Sequence, residues 1–392
     1  MNIAEDQAVL AALEAAYPAA KRLRNPLTPV SAGKPTTVWG KLRKALEAHE
    51  VFGKGRQVFA GAHQLQLHPS MLSQYINRPL AARGPEDTLR WLHAIFSVEK
   101  FVSRQCAELI GVKVVRDCAF ANGVQLLPLG NMRPSWHSNQ LRYVYEGPRS
   151  FMAATPSDVA GMIQKVEMTF STDVKSHRHD YSAFSELALA ITTATDSAPV
   201  VGAAWGEYED TDFADAEFGW GHMPARYEGR PPRFSTVTLE DEHVEPINRF
   251  LSLSGNVKRA CANAAARLNS ARRRVETGQS AIDLATAFES LLATSDERTE
   301  ITYRLRLRAA LILASDYEGR LEVSNRMRDL YALRSKIVHG DSVASSTAAD
   351  RATVDWDTQN FSRLLNLVID AGRLPDLKRL ELTGDAAEAF PS

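Results

Sequence analysis

The sequence predicts an α+β protein in three consecutive parts. These are a helical N-terminal region (1–111), a central mixed α/β or mostly β region (112–245) and a C-terminal all-helical bundle (246–392). Apolar residues recur at helical spacing in the first and third parts, whereas β-branched and aromatic residues alternate with polar ones in the second. A chain of 392 residues, at about 100–200 residues per domain, also predicts two or three domains.

Composition restricts the class of protein. A net charge of −1 with 44% hydrophobic and 24% charged residues is ordinary for a globular chain. Cys106, Cys118 and Cys261 are widely spaced, so neither a disulfide framework nor a zinc ribbon is predicted. The first residues lack the basic-then-apolar order of a signal peptide, and no run approaches the ~18 apolar residues of a membrane span. We therefore expect a cytoplasmic protein without a membrane segment.

In the N-terminal region, long helices are predicted for residues 1–26, Thr37–Val51 and Glu86–Leu109. The segment Val58–Pro79 reads as helix, short turn, helix, because Ser70 can cap a second helix after His68-Pro69. This segment resembles the helix-turn-helix of repressor-like proteins, which implies that four of its polar side chains face DNA or RNA. They are Ser70, Ser73, Gln74 and Asn77. Any helical hairpin with an apolar seam gives a similar string, so a structural role stays open.

The central region is predicted to contain strands at 141–147, 165–174 and 198–210. His177 and His179 are two positions apart, so on a strand both imidazoles would face the same side, which would suit a metal. No third ligand follows at a familiar spacing, which favours a polar surface segment. The chain has no P-loop, no G-x-G-x-x-G and no G-x-S-x-G, and we predict no metal and no cofactor.

The bundle is predicted to have five helices joined by short loops, as in up-and-down bundles. They are Val257–Arg274, Ser280–Ala293, Glu300–Ala314, Leu321–Val338 and Thr358–Ala371. The fourth helix ends in LYALRSKIVHGD, where Gly340 suits the position just past a helix C-terminus. Basic residues outnumber acidic ones from Lys258 to Lys336, which predicts a surface that attracts phosphate.

Arg334 and His339 form an R-x4-H string at the end of that helix. With AIDLATAFESLL (281–292) and ITYRLRLRAALIL (301–313), it resembles the Apea-like subgroup of HEPN domains over Val257–Leu374. The resemblance implies a metal-independent RNA endonuclease that acts as a homodimer through its bundle. It also implies an effector of bacterial anti-phage defence. Because unregulated RNA cleavage is toxic, we expect the large upstream region to restrain the site until a phage-derived trigger arrives.

The residue types fit this chemistry independently. RNA carries its own nucleophile, the 2′-OH beside the scissile phosphate. Histidine can transfer the proton near neutral pH, and arginine can hold the phosphate with a planar, charged fork. We therefore predict His339 as acid/base and Arg334 as phosphate clamp. Supporting roles are predicted for Ser335, Glu289 and Tyr331, and contacts to RNA, tRNA included, for Arg304, Arg308 and Lys336.

Simpler interpretations remain for each residue. A histidine at a helix C-terminus can serve only the helix dipole, Glu289 can be an exposed helix charge, and Tyr331 can be a core residue. The alternative is therefore a non-catalytic nucleic-acid-binding or scaffold protein. In it the helix-turn-helix-like segment binds nucleic acid and the bundle only dimerises. A metal-dependent hydrolase using His177 and His179 is a third possibility, distinguished by its sensitivity to EDTA.

Overall fold

The computed structural model describes residues 3–23, 34–135, 137–139, 141, 159–210, 213, 225–226, 236–294, 300–339 and 347–390. The chain divides into two compact units, each discontinuous in sequence. Unit 1 comprises residues 1–106, 163–181 and 204–225, and unit 2 comprises 107–162, 182–203 and 226–392. The predicted boundaries near residues 111 and 245 both fall inside unit 2. The α+β class itself is confirmed.

Five helices lie in the described residues of unit 1. They are α1 (Ile3–Lys21), α2 (Val38–Ala48), α3 (Pro69–Tyr75), α4 (Asn77–Arg83) and α5 (Pro85–Ser97). Leu13, Leu42 and Leu92 are fully buried in one apolar core, which explains why α1, α2 and α5 pair their apolar faces. The first two predicted helices are thus confirmed.

The segment Val58–Leu67 forms a β-hairpin, so the predicted first helix of the helix-turn-helix is wrong. Strands β1 (Arg56–Ala60) and β2 (His63–Leu67) pair antiparallel, with Ala60 opposite His63 and Gly61 at positive φ in the two-residue turn. In β2 the buried positions alternate strictly with more exposed ones, which is the two-residue period of a strand. Leucines spaced two apart fit this period better than a helical one.

The predicted helix Glu86–Leu109 is also too long. Its helix ends at Ser97, and β3 (Lys100–Ile110) follows after Val98, where aromatic and β-branched residues begin to alternate between buried and exposed.

The remaining strands are β4 (Val112–Val114), β5 (Cys118–Ala119), β6 (Gln125–Pro128), β7 (Val159–Thr169), β8 (Val200–Tyr208), β9 (Ala225–Arg226) and β10 (Val237–Leu239). Strands β7 and β8 confirm much of two predicted strands, whereas 142–147 lies outside the described residues.

Six strands form one sheet in the order β5-β6-β7-β3-β8-β9, and β3, β7 and β8 each contribute residues to both units. Strand β10 pairs parallel with β4 in unit 2. The central region is therefore a mixture of strands and helix, as predicted, although its strands are distributed over both units.

Unit 2 is dominated by helices. They are α6 (Ser182–Ala194), α7 (Asp241–Ser252), α8 (Gly255–Arg273), α9 (Thr277–Leu292), α10 (Ile301–Leu313), α11 (Tyr317–Val338), α12 (Ala348–Ala371) and α13 (Leu377–Thr383). The five predicted bundle helices correspond to α8–α12. Helix α12 begins earlier than predicted, because Thr347 and Asp350 form a capping box. Within the described part of the chain, no helix combines the length and apolar character that a membrane span requires.

Arg272 connects the bundle to the segment between α6 and β8. Its Nη1 donates to the carbonyls of Thr192 (2.7 Å), Thr195 (2.7 Å) and Ser197 (3.0 Å), and only 8% of its side chain is exposed. Burial lowers the pKa of Arg272 to about 10, so the guanidinium stays charged at neutral pH. These carbonyls compensate for the loss of water around the charge.

Candidate active site

The predicted nucleic-acid contacts on α3 and α4 are wrong for two of the four residues. Ser73 is fully buried and Asn77 is 1% exposed, so neither side chain can reach a nucleic acid. The Ser73 hydroxyl donates to the Ser70 carbonyl at 3.1 Å, and the Ser70 hydroxyl hydrogen-bonds His68 Nδ1 at 2.8 Å. Only Ser70 and Gln74 are partly accessible. Together with the hairpin upstream, this removes the structural basis for a helix-turn-helix.

Arg308 was predicted to contact RNA, and the structure contradicts this. Its side chain is 2% exposed, with Nε 2.7 Å from Glu381 Oε1 and Nη1 donating to the Leu292 carbonyl at 2.6 Å. A guanidinium enclosed in this way is a structural group. Arg304 is half-exposed and 3.6 Å from Glu381, and Lys336 is exposed, so burial does not contradict the prediction for these two residues.

Arg308→Met is therefore expected to destabilise unit 2 by about 2–4 kcal/mol, because it removes the nearer of the two arginines beside Glu381 and the charged donor to the Leu292 carbonyl. The variant should keep the RNA affinity of the wild type at temperatures where both are folded. Thermal unfolding and RNA titration measure the two effects. Arg304→Met, at a more exposed position, is the matched control and should be nearly neutral for stability. Weaker RNA binding by folded Arg308→Met would restore the original prediction.

The end of α11 is fixed in place by its apolar face. Met327, Leu330 and Tyr331 recur at helical spacing and are buried, and Arg334 follows Tyr331 by one turn. At Gly278 of α9, an added Cβ would lie 2.6 Å from the Ile337 side chain, so the absence of a side chain there allows close contact. Ile337 thus holds the last turn of α11 against α9, whereas Val338 is 60% exposed.

The structure brings three of the predicted residues together. Arg334 Nη2 lies 3.7 Å from Glu289 Oε1, and the Tyr331 hydroxyl donates to the same oxygen at 3.4 Å and to the Ala285 carbonyl at 3.3 Å. The Arg334 guanidinium carbon lies 5.9 Å from the centre of the Tyr331 ring. Glu289, on α9, therefore lies close enough to Arg334 to orient it, and Tyr331 is a buried residue whose hydroxyl contacts Glu289.

Arg334 differs from other arginines of the bundle in how its donors are used. The guanidiniums of Arg272, Arg308 and Arg320 donate to protein carbonyls. Among the described residues Arg334 has one long ion pair, and its side chain is 37% exposed, although its Nε is buried and has no hydrogen-bond partner there. It is therefore a partly accessible cation, and the exposed part of such a guanidinium suits a phosphate oxygen.

His339 is the C-cap residue of α11, and its N–H donates to the Ser335 carbonyl at 3.0 Å. The imidazole is exposed and makes no side-chain hydrogen bond with the described residues. Ser335 is also exposed, and the described residues give its hydroxyl no bond to Arg334 or His339. The His339 imidazole is therefore accessible from solvent, while the predicted orienting role of Ser335 has no supporting contact among the described residues.

Sequence reasoning missed Asp357 of α12. The side chain is fully buried, and neither carboxyl oxygen has a hydrogen-bond partner among the described residues. Burial raises the pKa of Asp357 to about 8, with Arg326 opposing and Asp329 adding to the effect. Burial, with Glu289 and Asp357 contributing, also raises the pKa of Tyr331 far above its usual value. Both groups thus stay protonated behind Glu289 and Arg334 at neutral pH.

The histidines of the central region do not form the start of a metal site. The rings of His177 and His179 are 5.6 Å apart, and Phe59 and Tyr181 flank them. Burial, with His177 and His63 adding to it, lowers the pKa of His179. No third metal-ligating side chain joins this pair within the described ranges.

We compared the chain with protein-family models, with curated proteins and with solved structures. None of the three comparisons gives a match. The HEPN resemblance therefore stays a prediction that rests on the motifs of residues 257–374 and on the geometry around Arg334.

Glu289→Gln is expected to lower RNA cleavage about tenfold while changing stability by less than about 1 kcal/mol. The ion pair with Arg334 is long and partly exposed, so its energy is small, but its loss frees the guanidinium to move. Cleavage rate and thermal unfolding are the measurements. Glu322→Gln, an exposed change on α11, is the control and should alter neither. An unchanged cleavage rate for Glu289→Gln would remove its orienting role.

Proposed function

We propose that this protein is a metal-independent RNA endonuclease of the HEPN type, with Arg334 as phosphate clamp and His339 as acid/base. The observation that carries the proposal is the state of Arg334. Its guanidinium lies beside Glu289 and the Tyr331 ring, its side chain is partly exposed, and its one ion pair among the described residues is long. An exposed imidazole follows at the end of the same helix.

The chemistry needs no cofactor. A base removes the proton of the 2′-OH, the oxygen forms a bond to phosphorus, and the bond from phosphorus to the 5′-oxygen breaks as that oxygen receives a proton. Arg334 would stabilise the negative charge that builds up on the non-bridging oxygens. The products are a 2′,3′-cyclic phosphate and a 5′-hydroxyl.

One chain offers one His339, whereas the reaction uses a base and an acid. A homodimer through the bundle would bring a second Arg334 and His339 to the site, as the HEPN resemblance implies. The substrate class is RNA, with tRNA as the first candidate, and the protein would meet it in the cytoplasm. Unrestrained cleavage is toxic to the host, so the upstream residues would restrain the site until a phage-derived trigger arrives, as in abortive infection.

The alternative is a non-catalytic scaffold in which the bundle only dimerises. The β-hairpin at Arg56–Leu67 and the burial of Ser73 and Asn77 weaken its nucleic-acid-binding version. The partly free Arg334 favours the enzyme.

The test is incubation of the purified full chain with total RNA and with a tRNA pool in EDTA, followed by analysis of the RNA ends. The proposal expects 2′,3′-cyclic phosphate and 5′-hydroxyl ends. In parallel, expression should arrest growth, and His339→Ala should relieve the arrest. Failure to cleave, combined with growth arrest that His339→Ala leaves unchanged, would favour the scaffold. Cleavage that EDTA abolishes would favour a metal-dependent hydrolase.

A further inference from the structure

Two histidines and one carboxylate converge in unit 1. Asp6 Oδ1 lies 3.0 Å from His49 Nε2 and 2.8 Å from His93 Nε2. The three ligand atoms all lie within 4.8 Å of one another, and they form the one group of three possible metal ligands within the described ranges. The residues come from α1, from the C-cap of α2 and from α5. We infer that Asp6, His49 and His93 bind a divalent transition-metal cation of the Zn²⁺ class.

The ligand set fits this class of cation. Neutral imidazole nitrogens with a carboxylate oxygen suit Zn²⁺ and its neighbours, whereas Mg²⁺ prefers oxygen ligands alone. Tetrahedral Zn²⁺ with bonds of about 2.0–2.1 Å places its ligand atoms about 3.3 Å apart, so Asp6 Oδ1 and the two nitrogens need to separate by only a few tenths of an ångström.

The exposure of the three side chains also fits a metal site. The His49 side chain is 3% exposed, whereas those of His93 and Asp6 are 22% and 19% exposed. A cation would therefore have a closed side at His49, against the Phe52 ring stacked at 4.0 Å, and an open side where water can be the fourth ligand.

Two hydrogen bonds to His49 must change when a cation binds. His49 Nδ1 accepts the N–H groups of Val51 (3.2 Å) and Phe52 (3.4 Å), so the proton of the neutral ring is on Nε2. A metal at Nε2 shifts this proton to Nδ1, where it faces the two N–H groups. Both contacts are long, and the turn after α2 must move to release them. Binding should therefore leave a signature in the amides of residues 50–53, which a cation held elsewhere would not produce.

The experiment uses the tag-free full chain, stripped of metal with a chelator. Isothermal titration with Zn²⁺ should give one equivalent bound, and Co²⁺ should give the visible absorption bands of a four-coordinate site. Hydrogen exchange at residues 50–53 should speed up on binding, and Mg²⁺ should produce none of these effects. The rate of RNA cleavage in EDTA should be the same before and after the metal is stripped from the chain. This inference and the proposed function can therefore fail separately.

Asp6→Asn and His93→Gln should each weaken Zn²⁺ binding by more than about tenfold, because even the loss of an outer partner of a metal ligand costs about 10–100-fold. His93 is partly exposed, so His93→Gln should fold, which circular dichroism checks. His68→Gln, an exposed histidine of the same unit, is the matched control and should bind as the wild type does. The inference is overturned if the wild type binds no equivalent of Zn²⁺, or if folded Asp6→Asn and His93→Gln bind as tightly as His68→Gln.

Discussion

Arg334→Ala and His339→Ala are each expected to reduce RNA cleavage by about 10²–10⁴-fold, with little effect on stability. Loss of a general acid/base typically costs this much, and loss of a group that stabilises developing charge costs about 10²–10³-fold. Neither side chain is a large part of the core, since His339 is exposed and Arg334 has one long ion pair. The measurement is single-turnover cleavage of a defined RNA in EDTA.

Arg334→Lys gives a sharper version of the same test. Lysine keeps the charge but loses the planar fork, so it should recover only part of the activity. Arg328→Ala is the matched control, because Arg328 is an exposed arginine of α11 that pairs with Asp329. It should keep the wild-type rate. If Arg334→Ala and Arg328→Ala lose activity equally, a general loss of positive charge explains the effect and the clamp role is wrong.

Asp357→Asn is expected to remove a large pH dependence from the stability of unit 2. The unfolded carboxyl releases its proton near pH 4, whereas in the folded state the pKa is about 8. Between these values unfolding releases a proton, so the free energy of unfolding falls as pH rises from about 4 to about 8. At about 1.4 kcal/mol per pKa unit, the fall between pH 5 and pH 8 is about 3–4 kcal/mol.

Calorimetry of the full chain at pH 5 and pH 8 measures this effect. Asp357→Asn should reduce the drop in Tm between the two pH values by roughly 6–16 °C, since about 1 kcal/mol shifts Tm by 2–4 °C in domains of this size. Asp355→Asn, an exposed change on the same helix, should leave the drop unchanged. An identical pH dependence in wild type and Asp357→Asn would show that the buried carboxyl is ionised in the folded protein.

The bundle helices could be predicted because burial there follows one helical period over long segments. The hairpin could not, because in this short stretch the step from Ala62 to Leu65 fits a helical period and only the step from Leu65 to Leu67 fits a strand period. At Lys100 the chain turns from helix to strand without a glycine or proline, and a single helix was the simpler prediction. For β3, pairing with the distant strands β7 and β8 decides the structure, and that information is not local.

The site shows the same division. The R-x4-H string and Glu289 could be found from sequence. The burial of Asp357 could have been found as well, because Val354, Phe361 and Leu364 mark its position as part of the buried face of α12. The Asp6 cluster could not be found, because His49 and His93 are separated from Asp6 by 43 and 87 positions. Only the packing of α1 against α2 and α5 brings them together. Arg308 shows the opposite case, in which a basic helix sequence predicted a surface charge and tertiary packing buried it.

The contacts of Arg272 also limit how this protein can be rearranged in evolution. A gene fusion that transfers only residues 246–392 to another architecture separates the guanidinium from Thr192, Thr195 and Ser197, and leaves a buried charge without those acceptors. The bundle can therefore be inherited as a working unit only with the upstream segment that supplies the carbonyls. Recombination at residue 246 would be selected against, and descendants of such recombination should retain the α6–β8 connection.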